Sequence, residues 1–398
     1  MGTRPEIIKM APVYRALKNS SMPVALLHTG QHEEMAWPLY EFFGIKPDYL
    51  LKLERTSDSL AHLNALLLEE IHAILQRANP SAVLVHGDTS SALAAALASF
   101  YQKIPVGHVE AGLRSGQMYD PFPEEKNREM IGRLATWHFA PTPIAEASLL
   151  REGLAPASIH RVGNTIVDAT LWGAQHVEDL PEHGLSALPD SLALLPAALP
   201  GKRLMVVTAH RRENWGAGIA SIATAVRNAM HDDPDLCVVW PVHANPKVKD
   251  AVHRVFQDMP ASAASRLFLC ASLNYPALLW LMKRAWLILT DSGGIQEEAM
   301  VMHVPVFVLR NTTERPELIE AGGGILVGTN TQVINEKLEW FRSDQLARKR
   351  MCSVANPFGD GHAAHYIRDI LLKELPTTLH GAENGTMSAS ESLLEKVA

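Results

Sequence analysis

The sequence has few cysteines, no long apolar run and no excess of positive charge. Its 398 residues include only three cysteines, Cys237, Cys270 and Cys352, which are too few and too far apart for a disulfide framework, so we expect reduced thiols in the cytoplasm. No apolar run has the length of a membrane span, and no apolar segment near Arg4 and Lys9 resembles a signal peptide. A net charge of −7 gives no overall attraction to nucleic acid or to an anionic membrane. These absences predict no nucleic-acid partner and no membrane association.

Several sequence patterns of catalytic centres are also absent. The 18 histidines do not show metal-ligand spacing, because His32-Glu33 lacks the second histidine of a zincin and there is no Cys-x-x-Cys pair. The sequence has no Gly-x-Ser-x-Gly elbow and no reactive-cysteine signature. It also lacks the Gly-x-Gly-x-x-Gly of an ordinary NAD site. We therefore predict no catalytic metal and no NAD cofactor.

Short apolar runs alternate with helical patterns along most of the chain. The runs that end predicted strands are VALLHTG, AVLVHGD, VGHVEAG, HFAP and IHRVGN, then RLMVVTAH, CVVWPVH, LFLCAS, LILTDSGG, VFVLR and ILVG. Helical patterns cover about 5–19, 58–78, 90–102, 124–135 and 143–152, then 217–231, 246–258, 275–284, 294–302 and 331–342. Such alternation predicts parallel sheets with helices on both faces. Two series in tandem predict an α/β fold with two Rossmann-like, doubly wound domains.

The break between the domains is predicted between Asn164 and Lys202, where a Pro- and Leu-rich stretch has no clear strand. We expect an N-terminal domain over 1–165 and a C-terminal domain over 166–360. A C-terminal helix over 361–376 is expected to pack back on the N-terminal domain, and a polar tail over 377–398 is expected to be disordered.

The chain opens MGTRPEIIKMAP, a turn into a helix that normally follows a strand. Only Met1 precedes this turn. We therefore expect the first strand of the N-terminal sheet to be absent, and we hypothesise that the true start lies several residues upstream. The turn itself would place Arg4 and Lys9 at the mouth of a cleft.

Polar residues directly follow many of the predicted strands. They are His28, Asp88, Glu110, His210, His243, Asp291 and Ser292, and Arg4 would follow the absent strand. Ligands of open parallel sheets bind outside the carboxyl ends of the strands. These side chains should therefore collect on one edge of each sheet and line a single cleft between the two domains.

The motif DSGGIQEE indicates an anion site at the start of a helix. Gly293 and Gly294 let backbone N–H groups approach an anion, Ser292 adds a hydroxyl, and Glu298 could accept hydrogen bonds from a ribose. A Ser-Gly-Gly turn that only caps a helix is an equally good alternative.

Cationic and acidic residues follow other strands. In TAHRREN, His210 and its two arginines suit a diphosphate, although a solvated basic turn paired with Glu213 is the alternative. Asp88, Glu110 and Glu124 could converge as acid–base carboxylates, but Asp88 could also be a helix cap, and Glu124 a surface ion pair with Arg128. For His243 in HANP, binding and capping are equally good interpretations, and RNTTERPE combines arginines with a threonine cap.

Taken together, the motifs resemble the non-hydrolysing UDP-N-acetylglucosamine 2-epimerase family. They occur in the order GTRPEIIKMAP, VHGDTSSALA, GHVEAGLRSG, PFPEEKNR, TAHRRENWG, LTDSGGIQEEA, RNTTERPE and NPFGDG, and they cover the chain to about residue 375. The resemblance implies two Rossmann-like domains in the glycosyltransferase-B arrangement and a homodimer. It implies interconversion of UDP-N-acetylglucosamine and UDP-N-acetylmannosamine by elimination and re-addition of UDP, without a cofactor. It also implies a second UDP-N-acetylglucosamine as activator near Gly30–Met35, where Glu33 replaces a common basic residue.

Carried over by position, the resemblance assigns roles to individual residues. The acid–base carboxylates would be Asp88, Glu110 and Glu124, with His210 assisting the departure of UDP. Substrate would be held by Arg4, Lys9, Arg128, His243, Ser292, Gly293, Gly294, Glu298, Arg310 and Arg315. Other functions that fit the same residues are a hydrolysing epimerase that releases N-acetylmannosamine, a glycosyltransferase of this architecture, and an inactive sugar-nucleotide sensor.

Overall fold

The computed structural model describes residues 1–31, 33–177 and 188–375, so the tail predicted over 377–398 lies outside the described residues. The α-helices are α1 Arg4–Lys18, α2 Glu33–Phe43, α3 Leu60–Ala78, α4 Ser90–Tyr101, α5 Glu124–Leu134, α6 Pro143–Arg151, α7 Thr165–His176, α8 Leu195–Ala198, α9 Ala217–Asp232, α10 Pro246–Phe256, α11 Ala261–Ala264, α12 Tyr275–Arg284, α13 Gly293–Val301, α14 Pro316–Ala321, α15 Thr331–Ser343, α16 Gln345–Cys352 and α17 Ala363–Glu374. The strands are β1 Leu27–His28, β2 Tyr49–Leu50, β3 Val83–His86, β4 Val106–Val109, β5 Trp137–Ala140, β6 Ile159–Arg161, β7 Arg203–Thr208, β8 Leu236–Pro241, β9 Leu267–Cys270, β10 Ala285–Thr290, β11 Val306–Val308 and β12 Gly324–Leu326.

The C-terminal half contains a six-stranded parallel sheet in the order β12-β11-β10-β7-β8-β9. Successive residues of β7 point to opposite faces: Leu204 and Val206 join one buried cluster, and Met205 and Val207 join the other. The strand order reverses between β7 and β10, which makes this point the expected ligand site of a doubly wound sheet. The loops after these two strands therefore start side by side.

The N-terminal half divides its parallel strands between two sheets. Four strands pair in the order β3-β4-β5-β6, and β1 pairs with β2. The residues before α1 lie beside β1, because the Met1 ammonium donates to the Leu27 carbonyl at 2.8 Å and the Thr29 N–H donates to the Met1 carbonyl at 3.0 Å. Within the described residues no strand joins the two sheets.

Short-range chemistry explains the start of α1 and the close approach before it. The Glu6 carboxylate accepts hydrogen bonds from the N–H groups of Gly2 and Thr3, which caps the helix. A Cβ at Gly2 would lie 2.1 Å from the Thr29 hydroxyl and 2.4 Å from that of Ser91, so only glycine fits there. The turn thus holds α1 tightly against the loop after β1.

The last helix, α17, returns to the N-terminal half. Its residues Ala364, Ile367 and Leu371 share a buried cluster with Val13 of α1 and Phe139 of β5. At its start, the Asp168 carboxylate of α7 accepts from the N–H groups of residues 363 and 364. In the described part of the chain, none of the helices is both long and apolar enough to cross a membrane.

Most elements lie where the sequence predicts them, and the differences are local. The eleven predicted strands are all present, as is a C-terminal helix within 361–376. The sequence did not predict β2, which is only two residues long, or α2, whose helical pattern is interrupted by Pro38. It also missed α7, all of which lies inside the stretch predicted as the domain break, and the helices α8, α11, α14 and α16.

Candidate active site

A cleft of about 960 Å³ lies between the N-terminal and C-terminal halves, at the carboxyl ends of their parallel strands. Of the residues to which the resemblance assigns roles, every one except Glu124 lines it: Arg4, Lys9, Asp88, Glu110, Arg128, His210, His243, Ser292, Gly293, Gly294, Glu298, Arg310 and Arg315. His28 and Asp291, also expected at this edge, are buried and do not line the cleft. The lining residues follow strands of both halves, so each half supplies one wall of the cleft.

Asp88 lies in the turn between β3 and α4. Its Oδ2 accepts from the Arg128 guanidinium at 2.5 Å, and its carbonyl accepts from the Asn127 side chain at 2.8 Å. Burial raises the pKa of Asp88 to about 6, because the opposing effect of Arg128 is weaker and Glu110 and Glu124 add to the rise. Asp88 therefore titrates near neutral pH, which suits a group that both takes up and returns a proton.

Glu110 has a different environment from Asp88. It follows β4 with a positive φ of 64°, which turns its side chain toward α1. The Lys9 ammonium donates to Glu110 Oε1, and His86 Nε2 lies 3.6 Å from Glu110 Oε2. Burial has the largest single effect and raises the pKa of Glu110, but Lys9, His86 and Arg315 together outweigh it, so the net pKa lies below the ordinary value and the carboxylate stays ionised.

The carboxylates at the start of α5 have separate jobs. Glu125, not Glu124, is buried, and it accepts from the N–H groups of Ser115 and Gly116 at about 3 Å. Arg128 contacts Asp88 and Glu125 rather than forming the surface pair with Glu124 that the sequence offered as an alternative. Glu124 is near enough to Asp88 to raise its pKa, but it does not line the cleft.

His210 sits in the loop after β7 and is held by Asp291, which follows β10. The fully buried Asp291 carboxylate accepts from the N–H groups of His210 and Arg211 and from the Asn214 side chain at 2.9–3.1 Å. His210 Nδ1 lies 3.3 Å from the same carboxylate. The His210 and His243 rings are nearly parallel, and their centroids are 6.3 Å apart. Burial lowers the pKa of His210, an effect that Asp291 opposes and His243 and Arg211 reinforce. Asp291 thereby fixes the ring with Nε2 available to the cleft.

The loop after β10 provides the predicted anion site. Helix α13 begins at Gly293 with Ser292 as its N-cap, so its first N–H groups are unbonded within the helix and face the cleft. Cations gather beside it: Arg211 donates to the Asp291 carbonyl at 3.0 Å, and Arg310 contacts Glu213 at 2.8 Å. Glu314 accepts from both arginines. Two guanidinium groups thus lie beside the helix start, each held in place by a glutamate.

Glu298 lies farther along α13 and, like Arg4, lines the cleft. Burial raises its pKa to about 7, because Arg4 and Lys9 lower it less than burial and the neighbouring Glu297 raise it. Arg4 itself donates to the Leu273 carbonyl at 3.3 Å. A carboxyl group in this position can exchange hydrogen bonds with sugar hydroxyls in either protonation state.

The sequence does not reveal the roles of three residues that organise the cleft. It predicts Asp291 only as one of several polar residues at a strand end, and it assigns no role to Glu314 within RNTTERPE or to Glu297 beside Glu298. The sequence signal for Glu297 is the pair of adjacent glutamates that ends DSGGIQEE. Because a glutamate on a buried helix needs a polar or charged partner, both members of the pair are candidates for buried contacts. Within the described ranges, no three His, Cys, Asp or Glu side chains cluster so as to hold a metal ion.

Comparison with known proteins identifies relatives of nearly the whole chain. A family model described as UDP-N-acetylglucosamine 2-epimerase matches residues 15–372. The UDP-N-acetylglucosamine 2-epimerase of Escherichia coli (strain K12) is 43% identical over 371 residues, which is 93% of this chain and 96% of that protein. The Neisseria meningitidis UDP-GlcNAc 2-epimerase, solved bound to UDP-GlcNAc, matches with a TM-score of 0.83 and 37% identity, covering 94% of this chain and 98% of that one.

A more distant solved relative has the same organisation. The Methanocaldococcus jannaschii UDP-GlcNAc 2-epimerase, solved with UDP-GlcNAc and UDP, matches with a TM-score of 0.75 and 34% identity over 94% of this chain and 98% of that one. These matches span both halves at once. They confirm the predicted α/β fold with two Rossmann-like halves in the glycosyltransferase-B arrangement.

Proposed function

The chain belongs to the UDP-N-acetylglucosamine 2-epimerase family, and we propose that it is a non-hydrolysing member that interconverts UDP-N-acetylglucosamine and UDP-N-acetylmannosamine. One observation carries the proposal: the cleft places Asp88 and Glu110 of one half opposite His210 and the α13 anion site of the other. A weakly acidic C–H needs a carboxylate base, and a departing diphosphate needs cations and a proton donor. The cleft offers both on facing walls.

The first step we propose is elimination of UDP. A carboxylate removes the proton from C2, the C2–H electron pair becomes the C1=C2 double bond, and the C1–O bond breaks with its electrons going to the UDP oxygen. The products are 2-acetamidoglucal and UDP. Asp88, with a pKa raised to about 6, is the best matched of the three carboxylates for this transfer near neutral pH.

Departure of UDP needs its new charge to be stabilised. We propose that His210 acts in its protonated form: Nδ1–H is held by Asp291, whose charge favours the imidazolium, and Nε2–H donates its proton to the leaving phosphate oxygen. Ser292, Gly293, Gly294 and Arg310 would bind the diphosphate at the start of α13. Glu298 would bind the ribose.

Re-addition completes the epimerisation. A protonated carboxyl group returns a proton to C2 from the opposite face, and the UDP oxygen attacks C1 to restore the C1–O bond. We propose that Asp88 and Glu110, which line the cleft, carry these acid–base roles, and that Glu124 supports them from beside Asp88, whose pKa it raises. Substrate would be held, or the carboxylates organised, by Arg4, Lys9, Arg128, His243 and Arg315. Because no hydride moves, the reaction needs no NAD.

Proton NMR of the purified protein with UDP-N-acetylglucosamine in D₂O tests this proposal. We expect UDP-N-acetylmannosamine to accumulate with deuterium at C2 in both sugars. Free N-acetylmannosamine with UDP would instead identify the hydrolysing reaction. Absence of C2 exchange would refute the epimerase proposal and favour a transferase that needs an acceptor, or a sensor.

We also propose a homodimer that works in the cytoplasm. Phe100 and Tyr101 at the end of α4 are 55% and 60% exposed with their rings 6.2 Å apart, an apolar surface of the kind that associates in water. The three cysteines are free, which suits a reducing compartment. Light scattering on the intact protein measures the oligomeric state.

The resemblance further implies a second UDP-N-acetylglucosamine as activator, and we keep this as part of the proposal. Its predicted place, Gly30–Met35, includes His32, which lies outside the described residues. A rise in the rate of the reverse reaction when UDP-N-acetylglucosamine is added to UDP-N-acetylmannosamine would support activation, and a rate that is unchanged or lowered would contradict it.

A further inference from the structure

Glu297 is a buried carboxylate to which the proposed reaction gives no role. It lies on α13, next to Glu298, and only 1% of its side chain is exposed. Its Oε1 accepts from the Arg315 guanidinium and, at 3.2 Å, from the Asn164 side chain. Its Oε2 lies 3.2 Å from the Lys9 ammonium. A buried carboxylate is stable only beside groups of opposite charge or hydrogen-bond donors, so Glu297 depends on its contacts with Lys9, Arg315 and Asn164.

The contacts of Glu297 join the two halves of the molecule. Lys9 belongs to α1 of the N-terminal half and also donates to Glu110. The side chains thus form a continuous row, Glu110–Lys9–Glu297–Arg315, that crosses the base of the cleft. Two positive and two negative charges balance within it, and the Lys9 and Glu110 side chains are only 9% and 10% exposed.

Glu297 also lies between α13 and the start of α7, and both of these elements would take part in any closure of the cleft. Its own helix begins at Ser292–Gly294, the anion site, so a diphosphate bound there fixes the helix that carries it. Asn164 is the N-cap of α7, at the point where the chain passes from one half to the other. Resting on the proposed function, we propose that Glu297 is a positioning residue that holds the Lys9 ammonium against Glu110 and so couples the nucleotide site to the acid–base carboxylates.

This role predicts a specific pH dependence. The titratable and charged groups that face Lys9 are Glu6, His86, Glu110, Glu297, Glu298 and Arg315. Burial lowers the pKa of Lys9, but Glu110 and Glu297 outweigh burial, so the net pKa is raised. His86 has its pKa lowered by burial and is therefore neutral. Without the Glu297 charge, the Lys9 ammonium should lose its proton at a pH lower by roughly 1–3 units.

The experiment compares Glu297→Gln with the wild type over pH 6–10, using C2 exchange and turnover of UDP-N-acetylglucosamine. We expect kcat at pH 7.5 to fall roughly 10- to 100-fold, part of the roughly 10²–10⁴-fold that a positioned acid–base group contributes. KM and the Kd for UDP should change less than about threefold, because the proposed binding mode gives Glu297 no contact with the ligand. Activity of the variant should decline between pH 8 and 10, where the wild type holds its activity.

Two further variants separate positioning from packing. Glu297→Asp keeps the charge and should recover most of kcat and the wild-type pH profile, whereas Glu320→Gln makes the same chemical change on the exposed face of α14 and should alter nothing. Thermal unfolding and UDP binding report whether each variant folds. If Glu297→Gln does not fold, Glu297→Asp decides alone. Recovery of most of kcat together with the wild-type pH profile supports the proposal, and a lowered kcat with the wild-type pH profile overturns it.

Other outcomes also overturn the inference. They are wild-type kcat in Glu297→Gln, an unshifted decline at high pH, or equal losses in kcat and UDP affinity. Failure of the wild type itself to exchange C2 in the same assay refutes the proposed function instead, so the two failures are distinguishable.

Discussion

Replacing Asp88 by asparagine is expected to abolish most turnover and, at the same time, to stabilise the folded chain above pH 6. Asparagine has the shape of the protonated acid but no charge. The folded site favours that neutral form, because burial raises the Asp88 pKa to about 6 from an ordinary value of 3.8. The folded state therefore binds the Asp88 proton more tightly than the unfolded state does.

The sign and size of the effect follow from this shift. The stability due to the proton is fully present below pH 4, is lost as the pH rises to about 6, and stays lost at higher pH. A shift of about two pKa units corresponds to about 3 kcal/mol. Because 24% of the Asp88 side chain is exposed, solvent screens part of this, and we expect about 1–3 kcal/mol of stabilisation at pH 8. With an unfolding entropy of about 2.1 cal/mol/K per residue over 398 residues, the midpoint should rise by about 1–4 °C.

The assay is thermal unfolding of Asp88→Asn and wild type at pH 5 and pH 8, with turnover measured in parallel. Because pH 5 lies between the two pKa values, the variant should already be the more stable there, by roughly half of the difference expected at pH 8. Turnover should fall by roughly 10²–10⁴-fold, the usual contribution of a positioned acid–base group. Asp58→Asn, at an exposed position, is the matched control and should change neither quantity.

A variant that is less stable than wild type at pH 8 would refute the reasoning. It would mean that Arg128 stabilises the ionised carboxylate by more than burial costs. Asp88 would then be a structural ion-pair partner whose pKa lies too low for proton transfer near neutral pH.

Three further predictions concern the cleft and the start of the chain. His210→Ala should lower kcat by roughly 10²–10⁴-fold while calorimetry shows a much smaller loss of UDP affinity, and equal losses would mean that His210 only binds. Gly294→Ala should leave the unfolding midpoint nearly unchanged, because a Cβ there meets no atom within 4 Å, yet weaken UDP binding measured by calorimetry if the diphosphate packs on that backbone; unchanged affinity would place the anion elsewhere. Gly2→Ala should destabilise the fold by about 1–3 kcal/mol in denaturant unfolding, because its Cβ would lie 2.1 Å from the Thr29 hydroxyl, and a stable variant would show that the turn can move.

The sequence predicted most of the elements because each depends on nearby residues. A run such as RLMVVT can only be a strand buried on both faces, and the polar residues after such runs must share one edge of a parallel sheet. That argument predicts that Asp88, Glu110, His210 and Ser292 share one cleft, and all four line it. It failed for β2, where two residues carry no periodic signal, and for α7, whose pattern was hidden next to a Pro-rich stretch.

Only the tertiary structure decided which charges pair. From spacing, Arg128 was as good a partner for Glu124 as for any other acid, but packing of α5 on the β3–α4 turn places it on Asp88. Lys9 and Glu297 are 288 residues apart in sequence and meet only because the two sheets face each other. Local propensity determines where helices and strands form, whereas the pKa of a carboxylate depends on burial and on charges brought from distant parts of the chain. The sequence by itself therefore determined the fold and the set of candidate residues, and the packing of the two halves decided what each carboxylate can do.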